Sequence, residues 1–143
     1  MKKLLTVILA IGFTAVFISL QNKMDASELH NKSHSMVGYL VDYNCGKRMA
    51  MDDIKKSDAK AAKHTKDCAL DEACSAKGYG LVTGGRFYKF DVSGDVKAKE
   101  YLKATLKESN IKVEVIGTMN DDKLVVELIK DLQSTGKKTG KKN

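Results

Sequence analysis

Proline and tryptophan are absent from this chain, and aromatics are sparse: four Phe and five Tyr in 143 residues. With so few large side chains, a folded region of about 100 residues has a viable but not generous core, because small domains bury a smaller share of their surface. A cross-link or a bound metal would help it. Other absences narrow the chemistry. Nothing resembles a nucleophile elbow or a phosphate loop. There is no Cys-x-x-Cys, which removes the thioredoxin-type redox motif, and no Cys-x-x-Cys-His for haem attachment. No reaction is therefore assigned. The hydrophobic fraction of 43% is that of a globular protein and excludes disorder throughout.

The formal charge is +7, but its surplus lies at the ends: Lys2 and Lys3 near the start, and Lys137, Lys138, Lys141 and Lys142 close to the last residue. Between them the charges are near balance. The basic character is an end effect and argues little for nucleic-acid binding.

Met1-Lys2-Lys3 precedes an uncharged apolar run from Leu4 to Leu20. That is the pattern of a secretory signal peptide, so residues 1–22 read as a signal peptide or N-terminal anchor, and 4–20 as the segment that would anchor to a membrane if retained. No cysteine follows the run, which leaves lipoprotein anchoring without support. The protein is expected to be exported, periplasmic or secreted. In such a compartment disulfides form and persist, and three cysteines cannot all pair within one chain.

Residues 23–35 are polar and aperiodic and read as a linker, in which His30 and His34 are expected to be solvated. The folded domain is expected over 36–132. Val37, Tyr39, Val41 and Tyr43 alternate as a strand does. Tyr79–Thr83 and Arg86–Val92 form two more strands around Gly84-Gly85, the residues a tight primed hairpin turn requires. Ala98, Tyr101, Leu102 and Leu106 recur at helical spacing after Ser93-Gly94-Asp95, a capping start. Ile111, Val113 and Val115 alternate, Asn120-Asp121-Asp122 turns, and Leu124, Val126 and Leu128 open the last strand. Residues 133–143 read as a basic disordered tail.

The order is thus β, insert, β-β, α, β-β: a mainly β fold with helices (α+β), a five-stranded OB-like barrel. OB folds that take oligonucleotides present aromatics and cations on the middle strands. Here Arg86, Phe87, Tyr88, Lys89 and Phe90 alternate, so half of them are core, and nucleic acid is not the expected partner. A small ligand or another envelope protein is.

The insert, residues 45–78, carries Cys45, His64, Cys68 and Cys74. Asp52–Lys66 is rich in Ala and Lys and reads as helix, which places His64 and Cys68 on one face. Cys74 follows on a further helical turn ending before Gly78. Three readings fit these four residues. One is a disulfide between two of the three cysteines, foremost Cys68 or Cys74 with Cys45, whose loop closure contributes roughly 3 kcal/mol. The second is a tetrahedral metal site of Cys45, His64, Cys68 and Cys74, suited to zinc or to copper. The third is a redox-active thiol whose pKa His64 lowers. The nearby acids Asp42, Asp52, Asp53, Asp71 and Glu72 read as solvated.

Gly38-Tyr-Leu-Val-Asp42-x-x-Cys45, His64-Thr-Lys-Asp-Cys68, Cys74-x-x-x-Gly78, Phe87-Tyr-Lys-Phe90-Asp91 and Val113-Glu-Val-x-Gly-Thr118 resemble a largely uncharacterised family of small exported bacterial proteins. The resemblance implies an OB-like barrel with a Cys/His-containing insert. The expected function is an exported binding or structural module whose insert forms a disulfide or metal site. The alternative is a thiol- or metal-dependent redox protein of the cell envelope.

Overall fold

A computed structural model describes residues 32–132. The expected signal segment 1–22, most of the linker including His30, and the tail 133–143 lie outside the described residues. Five strands and five helices follow one another: β1 (His34–Asp42), α1 (Tyr43–Met49), α2 (Ile54–Lys63), α3 (Lys66–Leu70), α4 (Glu72–Ser75), β2 (Tyr79–Thr83), β3 (Arg86–Phe90), α5 (Val92–Ala104), β4 (Lys112–Asn120) and β5 (Lys123–Asp131). The architecture is α+β. No helix among the described residues is long and apolar enough to cross a membrane.

The strands close on themselves in the order β1-β2-β3-β5-β4. β1 spans two partners: its first part pairs antiparallel with β4 and its end with β2 (Asp42 opposite Tyr79). β2 and β3 form the hairpin expected at Gly84-Gly85, whose φ values of 57° and 75° are both positive, as a primed turn demands. β3 meets β5 in parallel, Phe90 beside Leu124, and this short pairing completes the ring. The strand expected to start at Met36 begins at His34, so the linker ends two residues earlier than its polarity suggests. Gly117 and Ile116 of β4 pair with His34 and Ser35 at the start of β1, and that pairing extends the strand.

The interior is filled by Leu40, Tyr79, Leu81, Phe90, Ile111, Val113, Val115, Leu124 and Val126, with Ala98 and Leu102 of α5 and Ala69 of α3. A second, smaller cluster lies outside the ring, where Ala61 of α2 covers Val41 and Val82 and draws in Tyr39, Met49 and Phe87. The insert therefore roofs the outer face of β1 and β2. Leu40, Val41 and Asp42 are consecutive and all buried, which a strand with one wet face cannot be. The roof is pinned at its ends. Tyr43 N–H donates to the Gly78 carbonyl at 2.9 Å, Lys66 N–H to Glu108 at 2.8 Å, and Asn110 N–H to Ala62 at 2.9 Å.

Candidate metal centre

Each cysteine reaches the centre by the same local device. Asp42, Thr65 and Asp71 stand three residues before Cys45, Cys68 and Cys74, and each is the N-cap of a short helix. Asp42 Oδ1 accepts the Cys45 N–H at 2.9 Å, Thr65 Oγ1 that of Cys68 at 3.2 Å, and Asp71 Oδ1 that of Cys74 at 3.3 Å. A cap side chain satisfies an N–H that the first turn leaves without a helical partner. Here it also sets where the thiol points. The repeated Asp/Thr-x-x-Cys spacing was visible in the sequence and is the signal that reading the caps and thiols separately passes over.

The helix expected over Asp52–Lys66 is broken by this device. α2 stops at Lys63, His64 is its C-cap, and Thr65 starts α3. His64 and Cys68 therefore sit on different helices, not one face of the same one. A capping threonine competes with the helix for its own backbone, and two β-region residues in succession end the run. Helix α5 likewise starts earlier than Ser93-Gly94-Asp95 suggests, because Asp91 is the cap.

α1 is brought against the sheet by Gly46. A Cβ there would lie 2.4 Å from the Phe87 ring, so only glycine lets the helix sit this close. Cys45, its neighbour, is 6% exposed as a result. Asn44 Nδ2 donates to the Ala73 carbonyl at 3.1 Å and ties α1 to α4.

The convergence is close. One carboxylate oxygen of Asp42 and the sulfurs of Cys45, Cys68 and Cys74 all lie within 4.8 Å of one another. Cys68 and Cys74 are half-buried, with their sulfurs 4.0 Å apart; all three cysteines are free thiols. Of the four residues singled out in the sequence, the structure brings three together and sets Asp42 where His64 was expected. His64 lies behind Asp42, its Nε2 2.9 Å from Asp42 Oδ2. That contact lacks hydrogen-bond geometry, and it leaves Asp42 Oδ2 and both His64 nitrogens buried with no hydrogen-bond partner among the described residues. Buried polar atoms without partners are costly and rare. An acid read as solvated is in fact fully buried, because β1 delivers it under the roof of the insert.

The ionisable groups of the cluster shift one another. Burial opposes charge on Asp42, but the facing His64 and the Cys45 N–H outweigh it and hold the carboxyl below its ordinary value. Burial pushes the Cys45 thiol up, against a hydrogen bond donated by Arg48 Nη2 at 3.2 Å, and the Asp42 charge pushes it further. Burial, then the neighbouring Cys45 and Cys74, push the Cys68 thiol up to about 12. Thiols crowded together resist ionising side by side. A bound cation would reverse this, because coordination deprotonates a thiol outright. A cleft of about 230 Å³ lined by Cys45, Arg48, Met49 and Lys60 gives access to the buried sulfur.

Compared with known proteins, the chain matches no family model, no curated protein and no solved structure.

Proposed function

We propose that this protein is an exported OB-type barrel whose insert holds a thiophilic metal ion, zinc in preference to copper, through Cys45, Cys68, Cys74 and Asp42. The observation that carries the reading is the approach of those four donors to within 4.8 Å, from three separately capped helices. Three thiolates and a carboxylate oxygen suit tetrahedral zinc, and the hard oxygen favours zinc over copper(I). His64 acts behind the ligand. Held 2.9 Å from Asp42 Oδ2, it positions the carboxylate as outer partners of metal ligands do. Arg48 offsets part of the negative charge that four anionic ligands would bring.

The OB assignment is supported by the ring order β1-β2-β3-β5-β4, the parallel meeting of β3 and β5, and a helix between the third and fourth strands. Export is supported by the basic start and apolar run at Met1–Leu20. Membership of the exported barrel family is supported by the five short motifs between Gly38 and Thr118. The role is structural or ligand-binding: the ion cross-links α1, α3 and α4 over the outer face of β1 and β2. A thiol-redox role has less support, because a reactive thiol needs a lowered pKa while those of Cys45 and Cys68 are raised.

Elemental analysis of the purified protein, with zinc and cadmium titration of its reduced form followed by thiolate absorption, tests the reading. One equivalent of metal bound with loss of all three alkylatable thiols is expected. Three freely alkylated thiols in the presence of excess zinc or cadmium would sink it.

A further inference from the structure

Two of the three thiols are set apart from the third. Cys68 and Cys74 are half-exposed and 4.0 Å from sulfur to sulfur, whereas Cys45 is 6% exposed and accepts from Arg48. The first two also share a joint: Asp71 is at once the C-cap of α3 and the N-cap of α4, so one residue separates the helices that carry them. A disulfide bond is about 2.05 Å long, and rotation about this joint has only about 2 Å to close. Cys45 is anchored by the Asp42 cap, the Phe87 contact at Gly46 and the Arg48 hydrogen bond.

We infer that the metal centre is gated by oxidation, Cys68 and Cys74 closing into a disulfide that expels the ion and leaves Cys45 as a thiol. The inference rests on the metal reading above. The oxidant is an external disulfide, either a small-molecule one or that of a thiol oxidoreductase. In the loaded site both sulfurs would be held as thiolates; that of Cys68 or Cys74 attacks the external disulfide, one external thiolate leaves, and a mixed disulfide forms. The second cysteine then attacks that bond, forms the Cys68–Cys74 disulfide and releases the second external thiolate. Two protein thiolates have lost two electrons, the external disulfide has gained them, and the cation departs unchanged. Cys45 and Asp42 remain, too few to hold zinc in a structural site.

The test uses the full chain, reduced, loaded with zinc or cadmium, freed of reductant and then given oxidised glutathione. The expected result is one metal ion released per molecule, together with one intramolecular disulfide located at Cys68–Cys74 by peptide mass mapping, with Cys45 still alkylatable. In Cys74→Ser, the mixed glutathione disulfide should persist at Cys68. A disulfide that involves Cys45, a Cys68–Cys74 disulfide formed while the metal stays bound, or a loaded protein inert to oxidised glutathione would overturn the gate alone. Failure of the reduced protein to take up either metal overturns the underlying metal reading and the gate with it.

Discussion

Asp42 and Asp91 occupy equivalent places. Each stands at the buried end of a strand, and each caps the helix that comes next. Their surroundings differ. Asp91 spends both oxygens on the fold: Oδ1 accepts from Gly94 N–H at 3.0 Å and Val126 N–H at 3.0 Å, while Oδ2 accepts from the Ser93 N–H and hydroxyl at 3.2 and 2.8 Å. Asp42 uses Oδ1 on the Cys45 N–H and leaves Oδ2 with no hydrogen bond, though it is the more deeply buried of the two. One aspartate ties its helix to β5 of the ring; the other faces three sulfurs. The capping role does not separate them. Oδ2, set 2.9 Å from His64 Nε2 without a hydrogen bond, does.

The largest effect that breaks this comparison is expected at the satisfied residue. Asp91→Ala removes a cap and the clamp on β5, and should lower stability by about 3 kcal/mol in denaturant unfolding while leaving zinc affinity of the folded protein unchanged. Asp42→Asn inverts the pattern. Asparagine caps as well as aspartate, so metal-free stability should fall by less than in Asp91→Ala, while zinc affinity measured by competition with a chelator should fall by at least about tenfold. Equal stability losses in the two variants would erase the distinction.

Acid sharpens it further. Burial pushes Asp91 up, but the Val126 N–H, the Ser93 hydroxyl and the Gly94 and Ser93 N–H groups hold its carboxyl below the ordinary value. A depressed folded-state pKa contributes stability that is present above the unfolded value and lost as pH falls through the folded one. Stability of the wild type should therefore drop below about pH 4, and the slope there should be shallower in Asp91→Asn. The smallest effect is expected from Thr65→Ala. Loss of the Cys68 cap should cost about 1 kcal/mol and weaken zinc binding, because the α3 turn that aims the thiol then frays.

How much of this could be read in advance varies along the ring. In β4, buried Val113, Val115 and Gly117 alternate with more exposed neighbours, and the segment reads directly as a strand with one wet face. β2 is buried on both faces from Tyr79 to Val82, so period two is lost there and only the Gly84-Gly85 turn marks it. Its second covering layer comes from α2, residues distant in the chain, and no local pattern reports that. In the insert, the composition of Asp52–Lys66 suggests one helix, and a single threonine divides it. The three cysteines were legible as a cluster because they crowd into one insert. Asp42 was not, since nothing in Val-Asp-Tyr distinguishes a solvated acid from one roofed over by a helix.

The sequence by itself determined the order of elements, the hairpin turn, the amphipathic helix and the three cysteines as the centre of any chemistry. These depend on residues close together in the chain, whose spacing carries the information. Only the tertiary structure decided that β3 meets β5, that the insert lies over β1 and β2, and that Asp42 in place of His64 faces the sulfurs. Each of those depends on which surfaces meet across long separations, and burial of a charge is a property of the neighbours that enclose it, not of the residue that carries it.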